Sequence, residues 1–184
     1  MSEARSDAAE LEMLRYPIGR FQPPAVIAPE DREKALDAIE TLPGRLAEAV
    51  EGLSDDQLDT PYRPGGWTVL QLVHHVADSH SNAVIRWRWA LTEEEPTIKA
   101  YDERAWAELP DARSLPVVAS LDLLTALHRR WVALLRALPN ESFERRFIHP
   151  ENGPTRLDRA LLLYAWHGDH HVAHVTALRR RQGW

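Results

Sequence analysis

Cysteine is absent from this sequence of 184 residues. Its absence excludes disulfide bonds, thiolate metal ligands and a cysteine nucleophile. Any metal site in the chain would have to use histidine, aspartate or glutamate. A chain without cysteine also fits a reducing compartment, and we expect a cytoplasmic protein.

Long apolar runs and an excess of basic residues are also missing. No run of about 18 apolar residues occurs, so we predict no transmembrane segment. The acidic stretch Met1–Glu10 lacks the apolar core of a signal peptide. A formal net charge of −6 argues against nucleic acid or an anionic membrane as the main partner. With 44% hydrophobic residues, the composition is that of a globular protein, and 184 residues fit one sizeable domain or at most two small ones.

No run of alternating apolar and polar residues is convincing as a strand, whereas helical periodicity recurs along the chain. We predict amphipathic helices over residues 29–50, 68–91, 120–138 and 155–181. The second begins with the capping-box pattern Thr68–Gln71, and Ser120 and Thr155 suit the N-caps of the third and fourth. Pro43 lies inside the first pattern and predicts a kink or a break there. Four such helices favour an all-α four-helix bundle.

The remaining segments are predicted to be a terminus and connections. Residues 1–13 are expected to form a flexible N-terminus, and residues 14–184 a single domain. The proline-rich segment 16–24 should be an extended strap across that domain. The irregular stretch 92–116 is unusually long for a compact domain, which is typical of functional loops such as lids.

The histidines are concentrated in two windows of the chain. Seven of the nine lie in residues 74–80 and 167–174. His167 and His171 are four residues apart, so their imidazoles share one helix face and can reach the same ion. The alternative is a helix with several solvated or hydrogen-bonded histidines. The second window and the core-facing position of His171 favour a metal.

The third ligand is not determined by periodicity. His80 lies on the strongest apolar stripe of the second helix, whereas His75 lies on a face with smaller and more polar residues. The two are equally good candidates at this point. His170 and His174 could carry protons near a metal, or they could be structural or surface residues.

Two long stretches resemble a known family. They are Leu58–His80 and Trp166–His174, and shorter matches occur at Tyr16–Gly19, Tyr101–Trp106, Leu127–Trp131 and Gln182–Trp184. In order and spacing these stretches are similar to the YfiT-type metal-dependent hydrolases of the DinB superfamily. The resemblance covers about residues 14–184.

The resemblance implies a DinB-like four-helix bundle with long connections and a cytoplasmic homodimer. It also implies one divalent metal ion per subunit. Zinc is expected from the three-nitrogen ligand set, and nickel is the alternative. The ligands carried over are His75, His167 and His171, because they occupy the matching motif positions. Some relatives transfer a low-molecular-weight thiol, such as bacillithiol, to electrophiles.

Three functions are compatible with such a site. A three-histidine ion with an open position for water or substrate predicts a hydrolase acting on a small molecule. The same ion could activate a low-molecular-weight thiol, which would make the protein an S-transferase. A non-catalytic metal-binding stress protein is the alternative of another class. We predict no catalytic group beyond the metal-bound water. Arg86 and Arg88 could meet an anionic substrate, but surface salt bridges are their favoured role.

Overall fold

The computed structural model describes residues 10–184, and most of them are helical. After a helical turn at residues 10–15, the helices are α1 Pro29–Val50, α2 Asp55–Leu58, α3 Val69–Thr92, α4 Glu103–Ala107, α5 Pro110–Ser114, α6 Val117–Ala137 and α7 Leu157–Gln182. A 3₁₀ helix, Asn140–Glu144, precedes the strands β1 Arg146–His149 and β2 Gly153–Arg156. Of the predicted flexible N-terminus, residues 1–9 lie outside the described residues. Across residues 10–184, no helix is both long enough and apolar enough to cross a membrane.

Local sequence signals fix where two of the long helices begin. Pro29 is the first residue of α1, as predicted. Thr68 caps α3 as predicted, because its Oγ1 accepts a hydrogen bond from the backbone amide of Gln71 at 3.2 Å. In return, the side-chain oxygen of Gln71 accepts a hydrogen bond from the backbone amide of Thr68 at 3.0 Å. These reciprocal bonds satisfy donors that the first turn of a helix leaves unpaired.

Three local predictions are wrong. Helix α6 begins at Val117 and not at Ser120, which is buried inside the helix and hydrogen-bonded to His74. Thr155 lies in a strand, and α7 begins at Leu157. The absence of strands is also contradicted, since β1 and β2 form an antiparallel hairpin. Each strand has four residues, which is too short for alternation to be recognised in the sequence.

Pro43 does not end the first helix, which continues to Val50. Proline has no backbone N–H, so the carbonyl of Ile39 lacks its usual donor four residues later. That carbonyl instead accepts a hydrogen bond from Nδ1 of His128, at 2.7 Å. A side chain from α6 therefore replaces the missing backbone bond.

The four long helices form a bundle in which consecutive helices are not all neighbours. Helix α1 packs against α6 and α7, and α3 packs against the same two helices. Helices α1 and α3 consequently lie diagonally across the bundle. Gly168 allows α7 to approach α1 closely, because a Cβ at this position would lie 2.5 Å from Cδ2 of Leu42. The predicted all-α four-helix bundle is confirmed, with the small hairpin as an addition.

The core consists of two apolar clusters separated by histidines. One cluster includes Ile39, Trp87, Trp131 and Leu161, and the other includes Leu42, Leu72, Leu124 and Val175. Along α3 the boundary between the clusters falls at His80, and along α6 it falls at His128. Along α7 it falls between residues 165 and 175, where His167 and His171 lie. We refer to these histidines as the histidine layer.

The two long connections meet at one end of the bundle. The amide of Ile98 donates to the carbonyl of Ile148, and the amide of Ile148 donates to the carbonyl of Pro96, both at 2.9 Å. The predicted irregular stretch 92–116 contains the short helices α4 and α5, and the side-chain amide of Gln71 anchors it by donating to the carbonyl of Ala107. This stretch is therefore fixed against the hairpin and α3, and it forms a wall beside the histidine layer.

Candidate metal centre

Three histidine nitrogens from two neighbouring helices converge in the bundle. Nε2 of His167 lies 3.2 Å from Nε2 of His75 on α3 and 3.2 Å from Nε2 of His171 on its own helix. The possible ligand atoms of the three residues all lie within 4.8 Å of one another. The structure thus brings together the three residues that the resemblance selected.

The spacing of these nitrogens matches that of ligands around one ion. Zinc–nitrogen bonds of about 2.0–2.1 Å in a tetrahedral site place two ligand nitrogens about 3.3 Å apart. Two of the three separations are 3.2 Å. Three imidazoles provide nitrogen ligands that suit zinc and several other divalent ions. The residues present therefore fit a metal ion held by three histidines.

Burial keeps these imidazoles neutral at pH 7. It lowers the pKa of His75 to about 4. Burial, together with the neighbouring histidines, lowers the pKa of His167 and His171 well below the ordinary value. Each neutral ring has one nitrogen with a free lone pair, which is the form that binds a metal.

His80, the other candidate for the third ligand, lies behind the cluster and not in it. Its Nε2 is 3.3 Å from Nδ1 of His167, and its Nδ1 is 3.0 Å from Nε2 of His128. His128 was not predicted to have a role. It is spaced four residues after Leu124 and three before Trp131, both of which are fully buried, and this spacing is the signal that could have identified it.

His170 and His174 are buried against aromatic side chains beside the cluster. The His170 ring stacks on Trp166 with centroids 4.5 Å apart, and the His174 ring lies 4.2 Å from that of Tyr62. Nε2 of His174 lies 3.2 Å from the carbonyl oxygen of Arg15. Burial lowers the pKa of His170 to about 4 and that of His174 to about 3. Both residues therefore support packing at the N-terminal segment.

The proline-rich segment lies along α7, as predicted for a strap. Its Tyr16 ring is 5.9 Å from that of His170, and its Phe21 ring is 5.9 Å from that of Trp166. Ile18 of the same segment does not join this contact closely, because 45% of it is exposed. The strap thus covers the side of α7 that carries His170, next to the converging nitrogens.

A cavity of about 740 Å³ opens beside His167. Its walls come from α3, the segment 100–104, the hairpin and α7. His167 lines the cavity and is partly exposed, whereas His75 and His171 are buried. The volume is within the range of small-molecule sites, which is about 300–1,000 Å³.

Arg86 faces this cavity without an acidic partner. Its NH1 group donates to the hydroxyl of Tyr164 at 3.0 Å, and its Nε is buried without a hydrogen-bond partner. In the described part of the chain no carboxylate lies within ion-pair distance of Arg86 or Arg88, so the predicted surface salt bridges are wrong. The guanidinium lowers the pKa of His149 on the opposite wall, in addition to the larger effect of burial. It is available to an anionic group in the cavity.

Several known proteins are similar to this chain over nearly its full length. A protein of Bacillus mycoides (strain KBAB4) is 55% identical over 171 residues, which are 93% of this chain and 98% of the relative. YfiT of Bacillus subtilis (strain 168) is 51% identical over 172 residues, or 93% of this chain and 97% of the relative. Both relatives carry the name "Putative metal-dependent hydrolase".

Solved structures and a family model agree with this similarity. The structure of YfiT from Bacillus subtilis superposes with a TM-score of 0.91 over 94% of this chain and 99% of YfiT. YfiT is described as a "probable metal-dependent hydrolase with an unusual four-helix bundle topology". TT2238, a four-helix bundle protein with 24% identity, has a TM-score of 0.52 over 83% of this chain and 99% of its own, and it supports the fold alone. The family model described as the DinB superfamily matches residues 38–175. The chain therefore belongs to the DinB superfamily, together with YfiT and its Bacillus relatives.

Proposed function

We propose that this protein is a metal-dependent hydrolase in which His75, His167 and His171 hold one divalent ion. Zinc is the expected metal, and nickel is the alternative, because nitrogen ligands suit both. The observation that carries the proposal is the convergence of three Nε2 atoms at the edge of a cavity large enough for a small substrate. The name that the two relatives carry, "Putative metal-dependent hydrolase", supports the same reaction class.

The protein's own residues would bind and orient the substrate. When held by these three neutral imidazoles, a zinc ion would supply a water molecule with a pKa lowered to about 7 and would polarise a carbonyl oxygen. Burial raises the pKa of Tyr101 in the cavity wall to about 12, so its hydroxyl stays protonated and can donate a hydrogen bond to the substrate. Arg86 would bind an anionic group of the substrate, such as a carboxylate.

An S-transferase that uses a low-molecular-weight thiol is the second candidate. The observation in its favour is the size of the cavity, because about 740 Å³ can hold both a small thiol cofactor and an electrophile. The same three histidines would serve both reactions. A non-catalytic metal-binding protein is less well supported, since such a site would be closed and His167 lines an open cavity.

Metal analysis of purified variants tests the ligand set. We expect one ion per chain in the wild-type protein and less than about a tenth of that in His171→Ala, because loss of one of three ligands leaves a two-ligand site. His170→Ala is the matched control, since it removes the neighbouring imidazole outside the converging group and should keep full metal content. Full metal content in His171→Ala would overturn the assignment.

Turnover assays distinguish the candidate functions. The zinc-loaded protein and the same protein treated with a chelator would be offered small carboxylic esters and lactones, with and without low-molecular-weight thiols. Metal-dependent hydrolysis without thiol supports the hydrolase. Turnover only with a thiol supports the S-transferase, and absence of turnover by the metal-loaded protein favours the non-catalytic alternative.

A further inference from the structure

A chain of imidazoles continues from the converging nitrogens into the core. It runs from Nδ1 of His167 to Nε2 of His80, at 3.3 Å, and from Nδ1 of His80 to Nε2 of His128, at 3.0 Å. It ends where Nδ1 of His128 meets the carbonyl oxygen of Ile39, at 2.7 Å. We refer to these three side chains and the carbonyl as the histidine chain. It links α7, α3, α6 and α1.

Both inner members of the histidine chain are sealed from solvent. His80 is 0% exposed and His128 is 1% exposed. In the part of the protein that the structure describes, neither forms an ion pair with a carboxylate. A buried imidazolium without an anionic partner would be strongly destabilised, so both rings are neutral. Each therefore has one N–H donor and one acceptor nitrogen.

The carbonyl at the end of the histidine chain permits only one arrangement of hydrogens. A carbonyl oxygen can only accept, so Nδ1 of His128 carries the hydrogen and its Nε2 is an acceptor. His80 must then donate from Nδ1, which leaves its Nε2 as the acceptor for Nδ1–H of His167. Nε2 of His167 is consequently left with a free lone pair, and it is the nitrogen that lies 3.2 Å from both His75 and His171.

We infer that His80 and His128 are positioning residues that fix the tautomer and the ring orientation of His167 for metal binding. Hydrogen bonds to the far nitrogen of a metal-bound histidine generally hold the ring and increase its basicity. The part of this inference that concerns metal affinity rests on the proposed metal site. The part that concerns the tautomers depends only on the fold.

Pro43 explains why the histidine chain ends at the carbonyl of Ile39. Ile39 can serve as its end because residue 43 is a proline, which supplies no N–H to the Ile39 carbonyl. A buried carbonyl without a donor would be costly, and His128 supplies that donor. Pro43, predicted to kink or break α1, therefore leaves free the Ile39 carbonyl, which is the acceptor that determines the hydrogen positions.

Nitrogen NMR of the metal-free wild-type protein tests the tautomers directly. With histidine labelled by ¹⁵N, long-range ¹H–¹⁵N correlations distinguish the Nδ1–H from the Nε2–H form. We expect Nδ1–H for His167, His80 and His128 at pH 7.5. An Nε2–H form of any of the three overturns the histidine chain, whether or not the protein has enzymatic activity.

Cobalt binding to variants tests the effect on the metal site. We expect His128→Leu to bind Co²⁺ ten- to a hundredfold more weakly than wild type, as measured from the visible absorption of the ion. His128→Gln should recover most of the affinity, because its amide can donate to Ile39 and accept from His80. The control is His74→Leu, which removes a buried α3 histidine bonded to Ser120 and Leu115 and should bind Co²⁺ as wild type does.

The outcomes separate this inference from the proposed function. Wild-type affinity in His128→Leu, or an equal loss in His74→Leu, overturns the positioning role. Absence of Co²⁺ binding by the wild-type protein overturns the metal site, while the NMR measurement still decides on the tautomers. Metal binding without hydrolysis overturns the hydrolase and leaves the positioning role intact.

Discussion

At the scale of single residues, Pro43 and Gly168 act through a group that each lacks, whereas Arg86 acts through a charge that faces the cavity. Pro43 has no N–H, so a histidine from another helix binds the free carbonyl. Gly168 has no Cβ, which leaves room for Leu42 between α1 and α7. Arg86 has no acidic neighbour within ion-pair distance among residues 10–184, so its charge faces the cavity. The groups missing from Pro43 and Gly168 thus permit contacts between helices.

Replacement of Arg86 by Gln tests its proposed contact with an anionic substrate. If the hydrolase proposal holds, KM for a substrate with a free carboxylate should rise by about 10- to 100-fold, because a hydrogen bond to a charged group contributes about 1.5–3 kcal/mol. The KM for the corresponding methyl ester should change little. Steady-state kinetics on the pair of substrates provides the measurement.

Arg88→Gln is the control for this substitution, because Arg88 is an exposed arginine on the same helix and does not line the cavity. It should leave both KM values unchanged. An equal rise of KM for the carboxylate and its ester in Arg86→Gln would contradict the proposed anion contact.

At the scale of secondary-structure elements, the packing of α7 on α1 depends on Gly168. Gly168→Ala should lower the free energy of unfolding by about 1–2 kcal/mol, because overpacking a filled core outweighs the gain of about 1 kcal/mol in helix propensity. Gly44→Ala is a matched substitution in α1, where nothing lies within 4 Å of the added Cβ. It should stabilise the protein by up to about 1 kcal/mol. Urea denaturation of both variants would show opposite signs, and stabilisation by both would contradict the close packing.

Some helix ends could be predicted from the sequence because their signals are local. The capping box at Thr68–Gln71 and the proline at residue 29 act within one turn of chain. The predictions at Ser120 and Thr155 failed because distant contacts decide their roles. Ser120 is bonded to His74 on another helix, and Thr155 is opposite Phe147 in the hairpin. A pattern within one segment carries no information about such partners.

In the candidate metal site, too, local spacing predicts some residues, whereas the positions of others depend on distant contacts. The pair His167 and His171 follows from helical spacing alone. Spacing could not decide between His75 and His80, because both are buried on adjoining faces of α3. The structure places them differently: His75 lies among the converging nitrogens, and His80 lies behind them. His128 was missed because a single histidine in a leucine-rich stripe gives no sign of its partners.

At the scale of the whole molecule, the buried histidines make stability depend on pH. Burial lowers the pKa of His128 from 6.5 to about 4 and that of His75 to a similar value. The unfolded chain therefore binds protons that the folded chain does not bind between these pH values. The free energy of unfolding therefore has its full value above pH 6.5 and decreases as the pH falls towards 4.

The homodimer and the cytoplasmic location stay predictions.

We expect the urea midpoint of the metal-free protein to fall markedly between pH 7.5 and pH 5.0. By pH 5, each histidine with a folded pKa of about 4 reduces stability by about 2 kcal/mol. His128→Leu removes one such group and should show a smaller decrease, as measured by urea denaturation at both pH values. Equal midpoints at pH 7.5 and pH 5.0 would contradict buried neutral histidines.

The diagonal arrangement of α1 and α3 limits how far the protein can be shortened. A two-helix fragment of α3 and α7 would retain all three candidate ligands. It would lack His128 of α6 and the Ile39 carbonyl of α1, which together set the hydrogen on the far side of His167. Grafting the three ligands onto a designed helical hairpin would therefore reproduce the ligand set without its tautomer control. For a protein designer, the smallest transferable unit is the complete bundle.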